Sequence, residues 1–152
     1  MLTTNQIKAK YGEPGPSNLI MITFPYPMKI AWDLKSIATK TQCHKLVAPK
    51  FKLVFDDLLA TYGLPELQRL GIDLFGGLYN FRKQRNGNDW SRHAWGIAID
   101  LDPARNALKQ TSKTAQFAKP EYKPMIDIFY KHGFLGLGPE KNYDWMHFEI
   151  GS

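Results

Sequence analysis

Apolar residues recur at helical spacing between residues 47 and 62. Phe51, Val54, Phe55, Leu58, Leu59 and Tyr62 fall on one face of a 3.6-residue repeat, and Gly63-Leu64-Pro65 ends the pattern. Pro49 suits the first turn, where its missing N–H is no loss. A second helix is predicted from about Pro124 to His132, with Gly133 as its C-terminal cap. Residues 1 to 29 read differently. Gly12-Glu13-Pro14-Gly15-Pro16 and Pro25-Tyr26-Pro27 predict turns and extended chain there, and no helix. The polar, Lys/Gln/Thr-rich stretch from Pro103 to Pro120 predicts a surface excursion.

Three segments alternate as strands do: Phe75 to Arg82, Gly96 to Asp102 and Met146 to Ile150. In the second, Ile97, Ile99 and Leu101 share one face, and Ala98, Asp100 and Asp102 the other. In the third, Met146, Phe148 and Ile150 oppose His147 and Glu149. In the first, Phe75, Gly77, Tyr79 and Phe81 oppose Leu78, Asn80 and Arg82. Each strand thus offers an apolar face to a core and ionisable groups to the other side. If they pair in one sheet, Asp100, His147, Glu149 and Arg82 converge. The expected fold class is α+β, a small antiparallel sheet packed with two or more helices.

Composition narrows the partners. The 152 residues fit one domain and leave little room for a second. Twenty Lys and Arg against fourteen Asp and Glu give a formal charge of +6. That balance favours a polyanion: nucleic acid, an acidic membrane surface, or an anionic polymer such as a bacterial cell wall. The single cysteine, Cys43, excludes an intrachain disulfide and a Cys-rich zinc finger. No stretch approaches the eighteen or so apolar residues of a membrane span. The polar N-terminus lacks the apolar core of a secretory signal, so synthesis in the cytoplasm, without membrane insertion, is expected.

The segment Ser91-Arg-His-Ala-Trp-Gly-Ile-Ala-Ile-Asp100 holds a histidine and a carboxylate around a glycine turn. With His147 they make two imidazoles and a carboxylate, a three-ligand set for catalytic zinc that leaves a fourth position for water. Asp144, three residues before His147, is spaced to reach that water as a general base. Plainer readings exist for each residue. His147 alone reads as an ordinary surface histidine, Asp144 as a turn cap beside Asn142 and Tyr143, and Arg82 as one solvated charge in the run Arg82-Lys-Gln-Arg85.

The residues together resemble a known pattern. Ser91, His93, Gly96, Ala98 and Asp100 match all five fixed positions of the S-x-H-x-x-G-x-A-x-D signature of the LAS-type zinc peptidases. These comprise D-alanyl-D-alanine carboxypeptidases and dipeptidases and phage L-alanyl-D-glutamate endopeptidases, with distant kinship to lysostaphin and hedgehog domains. Asp144-Trp-Met-His-Phe-Glu149 resembles the family's second motif, acidic-x-x-His followed by Phe-Glu, in the right order and about fifty residues on. The resemblance is most specific from Gly76 to Ile150. One departure is Gly136-Leu-Gly138, where many members carry a Trp-Gly-Gly-like turn.

The resemblance implies that His93, Asp100 and His147 bind Zn2+, and that Asp144 is the catalytic acid and base. Arg82 matches the group that polarises the scissile carbonyl or holds a substrate carboxylate, although Arg85 lies close by. Ser91 and Glu149 match motif positions with roles behind the ligands or beside substrate. The expected protein is a single catalytic domain over 1–152, with 1–45 a Pro/Gly-rich lead and 46–152 the core. It is expected to be a monomeric zinc metallopeptidase of the phage endolysin type, cutting the L-alanyl-D-glutamate bond of peptidoglycan stem peptides after release to the wall. A D-alanyl-D-alanine carboxypeptidase is the alternative, and a non-catalytic zinc-bearing binding module another. A nucleic-acid-binding protein finds no supporting motif.

Overall fold

The computed structural model describes residues 1–152. The main predicted helix forms over Ala48–Tyr62 (α2), after α1 at Thr4–Tyr11. A short helix, α3, follows at Leu64–Leu70; α4 spans Lys123–Lys131 and α5 Leu137–Lys141. Six strands, β1 (Leu19–Ile30), β2 (Asp33–His44), β3 (Leu74–Gly77), β4 (Ala98–Leu101), β5 (Phe134–Gly136) and β6 (His147–Ile150), form one sheet in the order β2-β1-β3-β4-β6-β5. The α+β class holds. The sheet is larger than expected and mixed, because β1 and β3 pair in parallel while the other pairs are antiparallel.

The N-terminal expectation needs correction. Thr3 and Gln6 form a reciprocal capping box, Thr3 N–H donating to Gln6 Oε1 at 2.8 Å and Gln6 N–H to Thr3 Oγ1 at 3.2 Å, and this starts α1. The Thr-x-x-Gln spacing was readable, but the prolines and glycines beyond it dominated. Nor do residues 1–45 stand apart as a lead. Ile7, Tyr11, Ile22, Phe24, Tyr26, Met28 and Cys43 are buried in the same core cluster as Phe51, Phe129 and Phe148. Pro25 and Pro27 fit within β1 because they fall in a register shift: Thr23 pairs with Lys40, and the next pair is Met28 with Ala38. The extra residues of β1 bulge there, so the missing N–H groups break no ladder.

The first predicted strand is shorter than its pattern. β3 ends at Gly77, whose φ of +116° turns the chain, so Leu78 to Arg82 run as irregular backbone and Arg82 does not sit on a sheet face. The segment is tied down instead by Asn80 N–H donating to His93 O at 3.0 Å. The core lies on the side of the sheet where α2 packs against β1 and α4, with Phe129 stacked on Phe148 at 4.0 Å between ring centroids. Ile99, Leu101, Phe148 and Ile150 point into it, which turns Asp100, His147 and Glu149 to the opposite side.

Candidate metal centre

Strand register makes the first juxtaposition. Asp100 is directly opposite His147, and Ala98 is opposite Glu149, across the antiparallel β4–β6 pair. His93 arrives from a different element, a 3-10 turn at Arg92–Trp95 whose N-cap is Ser91. The Ser91 hydroxyl accepts the His93 N–H at 3.3 Å, so Ser91 shapes the turn that presents the imidazole. Gly96 ends that turn at φ +70°, and a Cβ there would lie 2.8 Å from Leu19 Cδ2 and 2.9 Å from His44 N. Only glycine combines the left-handed backbone with that close approach.

The hydrogen bonds settle which nitrogens face inward. His93 Nδ1 lies 2.8 Å from Leu78 O, a pure acceptor, so Nδ1 carries the proton and Nε2 presents its lone pair. That Nε2 is 3.2 Å from Asp100 Oδ2. On the other side, His147 Nε2 is 3.0 Å from Glu149 Oε1, and His147 Nδ1 is 3.1 Å from Asp100 Oδ1. One donor atom from each of His93, Asp100 and His147 lies within 4.8 Å of the other two. Two imidazole nitrogens and a carboxylate converging on one point could hold a metal ion. The donor set suits zinc, with the outer nitrogens anchored by a carbonyl and a carboxylate. Without metal a proton must serve. Burial would lower the His147 pKa, but hydrogen bonds to Asp100 and Glu149 push it up to about 10. Burial opposes ionisation of Asp100, yet the charges and hydrogen bonds of His93 and His147 hold its carboxyl well below the usual range.

Asp144 lines the same cleft as this cluster. Its backbone is left-handed at φ +51°, its N–H donates to Leu108 O at 2.9 Å, and its carbonyl accepts the His147 N–H at 3.0 Å. The backbone is thereby fully used, and the carboxylate is left without a partner inside the protein. Burial raises its pKa to about 6, against the opposing pull of His147 and with Asp100 adding to the rise. The glycine-containing turn at 136–138 supports this loop. A Cβ on Gly138 would meet the Trp145 ring at 2.2 Å, so the indole lies flat on bare backbone.

Arg82 and Arg85 both reach the cleft, which has a volume of about 930 Å³. Arg82 is half-buried and donates to Lys83 O at 3.3 Å; Arg85 is exposed, and its charge is felt at Asp144. The two remaining histidines are spoken for elsewhere. His44 sits between Tyr11 O and the Leu46 N–H, and His132 pairs with Asp57.

Sequence reasoning missed Arg92. Its guanidinium donates to Leu2 O and Thr4 Oγ1, both at 3.0 Å, and its Nε lies 3.9 Å from Glu149 Oε2. The buried Glu149 thus has a cation behind it and His147 in front, while the first residues of the chain hold that cation in place. The residue stood in plain view between Ser91 and His93, but its partners are far away in sequence.

These features define a candidate metal centre with a carboxylate beside it. Residues 84–150, carrying both motifs, match the family described as D-alanyl-D-alanine carboxypeptidase, and the resemblance to the LAS-type zinc peptidases is borne out over that segment. Peptidases of this family are in general zinc-dependent. No curated protein matches the chain. No helix is long and apolar enough to cross a membrane.

Proposed function

We propose that the protein is a zinc-dependent peptidase of peptidoglycan stem peptides, of the endolysin type, cutting the L-alanyl-D-glutamate bond. His93 Nε2, an Asp100 oxygen and His147 Nδ1 would hold the metal. The observation that carries the reading is the unpartnered, half-buried carboxylate of Asp144 beside that triad. A binding module would have no use for a carboxylate kept at a raised pKa next to a metal site. When bound, zinc supplies Lewis acidity and lowers the pKa of a water towards about 7.

The protein's own residues do the rest. The Asp144 carboxylate accepts a proton from the attacking water and returns it to the leaving amine nitrogen. Arg82 or Arg85 donates to the carbonyl oxygen as charge builds there, or grips a substrate carboxylate. Glu149 and Leu78 O hold the two imidazoles in the tautomers that face inward. Arg82, Arg85 and Lys109 along the cleft suit a substrate with several carboxylates. A cleft of about 930 Å³ has room for residues on both sides of the cut bond, as an endopeptidase needs. The test is incubation with purified peptidoglycan and mass spectrometry of the new termini. A new N-terminal D-Glu supports the reading; free D-Ala selects the carboxypeptidase; no release refutes both.

A further inference from the structure

The β1–β2 hairpin carries a concentration of exposed apolar side chains, none of which lines the cleft. Trp32 at its turn is 71% exposed, Leu34 61%, Ile37 52% and Met21 52%. Register explains why part of this surface faces outward. Ile22, Phe24, Tyr26 and Met28 are buried under α2, so the alternate residues of β1 face the other way. On that outer face Lys29 pairs with Ile37, Thr23 with Lys40, and Met21 with Gln42. Pro25 and Pro27 point the same way and are exposed. The hairpin is also the edge of the sheet, since β2 has no neighbour beyond it.

The charge of this hairpin is one-sided. Lys29, Lys35 and Lys40 lie within it and Lys45 follows directly, against one acid, Asp33, which accepts from Ser36 at 2.6 Å. Lys35, Lys40 and Lys45 make no salt bridge in the chain, and Lys29 makes none either, although its charge acts on the buried Asp73 carboxyl. The surface therefore combines an exposed indole, branched aliphatic side chains and free ammonium groups.

We propose that the tip and outer face of this hairpin dock on the head-group region of an anionic lipid bilayer. Trp32, Leu34 and Ile37 would enter the boundary of the acyl chains, while Lys29, Lys35 and Lys40 pair with lipid phosphates. Indole rings and lysines are the side chains that partition to that layer. A second copy of the chain fits worse, because a two-fold contact through the same face sets lysine against lysine. An anionic glycan would satisfy the lysines and leave Leu34, Ile37 and Met21 with nothing apolar to cover them. The contact is interfacial and involves no spanning segment. It is independent of which peptide bond the cleft cuts.

The experiment is co-sedimentation of the full chain with phosphatidylcholine vesicles and with vesicles of phosphatidylcholine and phosphatidylglycerol in equal parts. Binding should require the anionic lipid, weaken with added salt, and shift the Trp32 emission to the blue. Lys35→Gln combined with Lys40→Gln should weaken binding roughly 25-fold, at about fivefold per lysine near the surface. Trp32→Ser should remove most of the emission shift. Both variants should release wall peptides at the parental rate, since none of these residues lines the cleft. Equal binding to neutral vesicles, binding to sedimented peptidoglycan but not to vesicles, dimerisation through this face, or unchanged binding by the double lysine variant each overturns the proposal.

Discussion

Replacing Asp144 by asparagine keeps the shape of the loop and removes one proton-accepting group. The structure makes two expectations of that change, and they run in opposite directions. Folding holds the Asp144 pKa at about 6, roughly two units above its ordinary value, chiefly through burial. Each unit corresponds to about 1.4 kcal/mol, and partial solvent contact reduces the total to about 1–2 kcal/mol. A carboxyl whose folded pKa is raised costs stability wherever it is ionised in the fold. The penalty is therefore full above about pH 6, fades as pH falls from there toward the unfolded value, and is absent at still lower pH. Metal-stripped Asp144→Asn should be more stable than the parent at neutral pH by that amount, and equal to it in acid. Its zinc-loaded form should bind one metal ion yet release wall peptides roughly 100- to 10,000-fold more slowly, because an amide cannot take the proton. Urea unfolding at two pH values, zinc stoichiometry and peptide release on one preparation measure all three. Near-parental activity would falsify the general-base role, and loss of zinc would make Asp144 a ligand. A stability gain that does not depend on pH would show that the carboxylate is not ionised under strain.

Other expectations follow from the same geometry. His93→Ala and His147→Ala should each lose zinc and the thermal stabilisation that zinc confers, whereas His132→Ala should retain both, as metal analysis and melting curves with and without chelator will show. Glu149→Gln should weaken zinc binding by about 10- to 100-fold in chelator competition, and Arg92→Ala should act in the same direction, with Arg92→Lys recovering part of the loss. Gly96→Ala should cost about 2–4 kcal/mol in urea unfolding, from the left-handed backbone together with the clash against Leu19 and His44; a cost below about 1 kcal/mol would contradict the packing. Arg82→Ala and Arg85→Ala should both keep zinc, and the one that lowers kcat about 100-fold or more is the group at the reacting carbonyl.

The local pattern carried the placement of the candidate site because that placement is written in short-range spacings. Period-two alternation put Asp100 on one face of its strand and His147 and Glu149 on one face of theirs, and the two strands did pair with those faces aligned. The Ser91-to-Asp100 segment likewise announced a turn, a glycine and a strand, which is how it folds. The amphipathic helix at 48–62 was legible for the same reason.

What the sequence could not decide depended on partners far along the chain. The aromatic run at 75–82 alternates like a strand, but Gly77 turns it, so the reach of Arg82 into the cleft is set by the Asn80–His93 bond and not by strand parity. The Pro-rich N-terminal region becomes two long strands because a bulge absorbs the prolines and a sheet edge is there to receive them. Arg92 acquires its place from Leu2, Thr4 and Glu149, three residues that only the folded chain brings together. The ionisation of Asp144 depends likewise on burial and on its charged neighbours, His147, Asp100, His93 and Arg85. Spacing along a strand fixes which side a group faces, but its pKa, its tautomer and the hand that steadies it depend on what the rest of the chain packs against it, because desolvation and Coulomb forces act through space and not along the backbone.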